Sequence, residues 1–164
     1  MGDLFNSLEV AAWGGFVTTQ GRLFRRIEDD LRRRSGITHA EFEVLLRLSF
    51  SPGGRARIQD LAAASLLTHS GTSRVVDRLF RAGLVDRVDA EEDGRGAYAV
   101  LTGEGRARFT AAARGHVDLV RKEFLRHFSQ DELKVMASFW KRCLGEEAPV
   151  KPGRGSRARR PRSK

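Results

Sequence analysis

The stretch LTHSGTSRVVDRLFRAGLVDR, residues 67–87, decides the fold. Thr68 carries a hydroxyl of the kind that caps the first turn of a helix, and Gly83 is the residue type most easily placed in the left-handed conformation that ends one. Between them Thr72, Val75, Val76 and Leu79 fall three and four residues apart, which puts them on one inward stripe. Ser70, Gly71, Ser73, Arg74 and Arg78 are left for the opposite face. Small hydroxyls and a glycine allow close approach to a DNA groove, and an arginine can pair with guanine or reach a phosphate. His69, next to the cap, suits a phosphate or base contact.

Upstream, Thr38 followed by Glu41 is a capping-box pattern opening a helix whose Phe42, Leu45, Leu46 and Leu48 precede a stop at Pro52-Gly53-Gly54. A short helix is expected over residues 58–65. Downstream, residues 84–88 and 97–101 read as two strands flanking the polar tip DAEEDGRG, residues 89–96. Two short helices, a tight connection and an immediate hairpin make a winged helix-turn-helix. The carboxylates of the tip would repel phosphate unless directed outward or paired with Arg87 or Arg95.

Beyond this module, Phe16, Leu23, Phe24, Ile27 and Leu31 share one face of a long first helix ending near Gly36, with a kink or break expected at Gly14-Gly15. Thr102 precedes a helix to about His127, and Ser129 with Glu132 repeats the capping box for a last helix. Phe109, Val117, Leu119, Val120, Phe124, Phe128, Leu133, Phe139 and Trp140 give these C-terminal helices more apolar surface than a thin monomer buries. The expected fold is mainly α with a small β-hairpin wing.

The net charge of +9 favours a polyanionic partner, because each Lys or Arg that displaces a phosphate counterion adds to binding. Residues 145–164 carry seven Lys or Arg against two Glu, which is more than half of that charge. With no large apolar residue after Val150, this tail is expected to be disordered. It is either a solubilising extension or a non-specific phosphate-binding arm. In the second case the chain would be an effector-independent architectural DNA binder.

The residues between 58 and 102 resemble the MarR family of bacterial transcription regulators. The 67–87 string matches that family's recognition helix and first wing strand, and DGRGAYAVLT, residues 93–102, matches its wing signature. The likeness extends from about Leu8 to Leu144. It implies that Arg95 enters the minor groove, oriented by Asp93, while Ser70, Ser73 and Arg74 lie in the major groove. It also implies a homodimer on a pseudo-palindromic operator, with 1–36 and 103–144 as helical dimerisation region, 37–102 as DNA-binding lobe and 145–164 as basic tail. Many relatives release DNA when a small aromatic or phenolic molecule binds, and Trp13, Phe16, His39 and Phe42 are the expected lining of such a pocket.

Other chemistry is excluded by spacing. His39, His69, His116 and His127 include no i, i+4 pair and accompany no cysteine cluster, so no metal is expected. There is no Gly-x-Ser-x-Gly elbow, Walker loop or dinucleotide fingerprint, so neither an enzyme nor a cofactor is expected. Gly103 and Gly105 stand alone. Cys143, the single cysteine, is expected to be buried and inert beside Trp140 and Leu144. Neither a signal peptide nor a spanning run is visible, which points to the cytoplasm and to no membrane partner.

Overall fold

The computed structural model describes residues 4–64, 68–89 and 97–145. In chain order these form α1 (Ser7–Ser35), α2 (His39–Phe50), β1 (Arg55–Arg57), α3 (Ile58–Ala64), α4 (His69–Arg81), β2 (Val85–Asp89), β3 (Ala97–Leu101), α5 (Gly103–Glu123) and α6 (Gln130–Leu144). Short 3-10 turns lie at Pro52–Gly54 and Leu125–His127. The chain divides into two compact units, one ending at Arg126 and one beginning at His127. Among the described residues no helix is long and apolar enough to cross a membrane.

The helix boundaries follow local chemistry. Capping boxes open α1 at Asn6 and Glu9, α2 at Thr38 and Glu41, and α6 at Ser129 and Glu132. Each satisfies amide groups that the first turn would otherwise leave without a partner. The kink expected at Gly14-Gly15 is absent: α1 runs unbroken for 29 residues. A Cβ on either glycine would meet nothing within 4 Å, so the cost of glycine there is one of propensity alone.

The sheet has three strands where the periodicity showed two. It is antiparallel in the order β1-β3-β2, with Arg57 opposite Tyr98 and Val88 on the other side of Tyr98. A three-residue run of Arg-Ala-Arg has no apolar alternation to announce it. It becomes a strand because β3 offers an edge that the Pro52–Gly54 turn delivers it to.

The core of the first unit is built by Phe42, Val44, Leu45 and Leu48 of α2, Ile58 and Leu61 of α3, and Val75, Val76 and Leu79 of α4. Leu84, Val85, Ala99 and Leu101 close it from the sheet side, and Ile27 and Leu31 of α1 with Ala112 of α5 join it. Asp30, 5% exposed, is the buried charge of α1; it accepts from Arg33 and Arg34 at 2.9 and 2.8 Å. In the second unit, α6 leaves Val135, Phe139, Trp140 and Leu144 exposed. Cys143 is exposed as well, not buried as its apolar sequence neighbours suggested, because in this unit those neighbours are themselves at the surface.

Where α4 passes into β2 the chain makes a tight closure. Gly83 adopts a left-handed φ of 70° and donates to Phe80 O, while Leu84 N–H reaches back to Leu79 O at 2.9 Å. Thr102, the cap of α5, then seals the turn: its hydroxyl donates to Gly83 O at 2.8 Å and its N–H to Leu84 O at 3.2 Å. Gly105 is buried in the first turn of α5, and a Cβ placed on it would overlap the carbonyl oxygen of Leu84 and come within 2.9 Å of Leu101 Cδ1. Gly105→Ala is therefore expected to cost about 3 kcal/mol by forcing backbone apart. Thermal unfolding followed by circular dichroism should show Tm reduced by roughly 6 to 12 °C. Gly103→Ala, with open space around it, should leave Tm within a few degrees; equal effects of the two would refute the close-approach account.

Candidate nucleic-acid interface

Helix α4 starts at Thr68, whose Oγ1 accepts the Gly71 N–H at 3.1 Å and lies 3.2 Å from Ser70 Oγ. Its inward face is the stripe anticipated from spacing, with Thr72, Val75, Val76 and Leu79 all buried. That burial fixes the rotation of the helix about its axis. Ser70, Arg74 and Arg78 are consequently turned away from the core, His69 is exposed beside the cap, and Gly71 and Ser73 are half-buried along the edge. The structure thus brings these six onto one side of one helix. Asp93 and Arg95 of the wing tip lie outside the described residues.

Two of the arginines near this surface are tied down. Arg87 on β2 pairs with Asp77 of α4, which braces the wing against the recognition helix. Arg78 donates Nε–H to Glu41 Oε1 at 2.9 Å, joining α4 to the start of α2. Arg74 has no carboxylate within ion-pair distance among the described residues, so its guanidinium is available to a ligand.

Glu41 was legible as a helix cap and proves to be more. Its Oε2 accepts the Thr38 N–H at 2.8 Å while Oε1 takes Arg78. Burial opposes its ionisation, but the Thr38 amide, the Arg78 guanidinium and the Thr38 hydroxyl together outweigh burial and hold the carboxyl below the usual glutamate range. In the first turn of the same helix, His39 N–H donates to Glu28 Oε2 at 2.7 Å, and Glu28 Oε1 accepts from Arg32 at 2.6 Å. A chain of polar contacts therefore links α1 through the first turn of α2 to the recognition helix.

The four residues read as a ligand pocket show ring contacts in separate groups. Trp13 and Phe16 form a ring pair at 5.8 Å and are 60% and 45% exposed. His39 packs instead on Phe24 at 4.9 Å, and Phe42 is core, between Phe109 at 5.6 Å and His116 at 4.9 Å. His116 was missed as a neighbour of this cluster, although it stands seven residues after Phe109 on the same helical face. Its Nδ1 is buried and has no hydrogen-bond partner among the described residues. Burial first and the neighbouring His39 second depress its pKa, partly opposed by Asp30. Among the described residues no group of His, Cys, Asp and Glu could hold a metal.

The helix order, the sheet and the exposed face of α4 can be set beside known proteins. A model of the MarR family matches residues 35–96. The MarR family transcriptional regulator AbsC from Streptomyces coelicolor is 32% identical, with 87% of this chain and 95% of that one covered and a TM-score of 0.81. This chain belongs to the MarR family. Sco3205, a MarR family transcriptional regulator from the same organism solved in complex with DNA, is 29% identical over 91% of this chain and 94% of that one, TM-score 0.82. A mutant of MarR from E. coli, solved with operator DNA, shares the fold at 22% identity, 86% and 98% coverage and TM-score 0.72. No curated protein sequence matches the chain. Membership makes the chain a transcriptional regulator.

In this MarR family chain the Glu41 cap has a pH signature. Its folded pKa lies below the ordinary glutamate value, so its contribution is full above that value and disappears as pH falls through the folded one. Glu41→Gln should cost about 1 kcal/mol at pH 7. Urea melts repeated at falling pH should show the gap between the two proteins closing once the native carboxyl is protonated. A gap that persists unchanged into acid would refute the charged cap.

Proposed function

We propose that the chain is a repressor that grips a pseudo-palindromic operator as a homodimer and is released by a small aromatic or phenolic effector. The observation that carries the DNA-binding part is the two-sided character of α4. One side is locked into the core by Thr72, Val75, Val76 and Leu79, and the other presents His69, Ser70, Gly71, Ser73, Arg74 and Arg78. Ser70, Ser73 and Arg74 are assigned to the major groove. Arg95, positioned by Asp93, is assigned to the minor groove, where negative potential is concentrated. Arg78 joins them as the residue that orients α4 on Glu41 and reaches the backbone with its remaining N–H donors. That Sco3205 was solved with DNA supports the assignment.

The dimer reading is supported by exposed apolar side chains in both units. On α1 these are Leu8, Trp13, Phe16 and Val17; on α6 they are Val135, Phe139, Trp140 and Leu144. Large exposed apolar patches mark association surfaces. The helical segments 1–36 and 103–144 are assigned to dimerisation and 37–102 to the DNA-binding lobe. The exposed ring pair of Trp13 and Phe16 is the part of the expected effector site that is accessible to an aromatic ligand.

Selection from a random duplex library followed by gel-shift titration tests the operator. The expected product is a pseudo-palindrome with half-sites about one helical turn, roughly 10 base pairs, apart. Binding without sequence preference would instead support an architectural protein driven by the tail. Sedimentation at micromolar concentration should give about twice the 18.3 kDa chain mass, and a species of chain mass alone would refute the dimer. Arg74→Ala and Arg95→Ala should each weaken operator binding at least about fivefold, matching the lower end of about 1 to 3 kcal/mol per specific contact, with Tm unchanged. Unchanged affinity for either would remove that residue from the interface.

A further inference from the structure

Three arginines of the DNA-binding lobe are already paired: Arg47, Arg78 and Arg87 each meet a carboxylate. Arg55 on β1, like Arg74 on α4, is not among them. Its guanidinium carbon lies 3.7 Å from the centroid of the Tyr98 ring, it is exposed, and no carboxylate lies within ion-pair distance of it among the described residues. Arg57 approaches the same ring at 5.2 Å and donates Nε–H to Tyr98 Oη at 3.1 Å.

Strand register explains the cluster. Arg57 pairs directly with Tyr98 and Arg55 with Val100, so Arg55 is the diagonal neighbour of Tyr98 and leans along the strand onto its ring. Alternation places Ala56 and the fully buried Ala99 on the opposite, core-facing side. Arg55, Arg57 and Tyr98 therefore share the outer face of the wing sheet. A guanidinium stacked on an aromatic ring gives up its π face but keeps its N–H edge free, and its side chain is already ordered. Such a group loses little further entropy when it binds a planar or tetrahedral oxyanion. Tyr98 follows Arg95 by three residues, a reach of at most about 10 Å, so a wing tip entering a groove brings this face to the strand beside that groove.

We propose that Arg55, held flat on Tyr98, grips a backbone phosphate of the DNA beside the groove that the wing enters, with Arg57 steadying the ring. The inference rests on the DNA-binding reading above and adds a contact that carries no sequence information. It makes the wing sheet a clamp on the backbone as well as a stalk for its tip.

The test is fluorescence anisotropy of the full chain on its selected operator and on a random duplex across a salt series. Arg55→Gln is expected to weaken binding about fivefold at about 0.15 M salt, equally on both duplexes, and to make the slope of log K against log salt shallower by about one. Tm should stay within a few degrees. Tyr98→Leu, which removes the platform and keeps the charge, should lose part of the same affinity, whereas Tyr98→Phe, which keeps the ring and loses only the hydrogen bond from Arg57, should lose less. An unchanged slope in Arg55→Gln would overturn the phosphate contact, as would an equal slope change from Arg22→Gln, an exposed arginine of α1, which would mark a general field effect. Equal losses in Tyr98→Phe and Tyr98→Leu would overturn the platform. The unaltered chain serves as the reference: its failure to bind any duplex would overturn the DNA-binding reading itself, and the clamp with it.

Discussion

The contact on which the rest depends is the approach of the first turn of α5 to the carbonyl of Leu84, which only a glycine at position 105 permits. Thr102 closes the same junction with hydrogen bonds to Gly83 and Leu84. Three elements meet there: the end of the recognition helix, the first wing strand and the long helix that leaves the module. Because backbone meets backbone, without long side chains in between, the angle between them has little freedom. The start of β2, the end of β3 and the end of α4 are thereby held together.

Around that junction polar contacts set orientation where apolar burial sets position. Val75, Val76 and Leu79 fix how far α4 is rotated, while Glu41 and Asp77 hold two arginines that tether it at α2 and β2. Glu41 sits mostly out of solvent and is already committed to the Thr38 amide, so its charge is fixed in place before Arg78 meets it. A preformed anion of this kind strengthens a charge-assisted bond more than a freely rotating surface carboxylate would. The same first turn of α2 accepts a tether from Glu28 of α1. Movement of α1 is therefore not mechanically independent of α4.

Legibility in the sequence followed the strength of the local signal. Stripes of apolar residues three and four apart marked α4 and its buried set, and hydroxyl-x-x-Glu patterns marked the starts of α2 and α6. The strand Arg55–Arg57 was invisible because a strand of three residues with two charges is stabilised by its neighbour, not by its own pattern. Gly105 looked idle since a close backbone approach leaves no trace in composition. The surroundings of the expected effector residues were hidden for a related reason: helical spacing says which side chains share a face, but Phe42 is core and Trp13 exposed, which only packing distinguishes. Cys143 shows the converse, an apolar neighbourhood in sequence that is open to solvent in the folded unit.

One further consequence concerns the first half of α1. From Ser7 to Gln20 every residue of this helix is exposed, and its burial begins only toward Ile27. A stretch of about four turns, with Gly14 and Gly15 in its middle, is no longer than the length at which even alanine-rich helices are marginal in water. The Asn6 and Glu9 box resists fraying at the tip but cannot supply the missing propagation free energy. Burial of Trp13, Phe16 and Val17 in the proposed dimer would supply the stabilisation that this segment lacks by itself. Under the proposed dimer, winding of this segment and docking of the second copy would be coupled, so that association stabilises the helix by mass action.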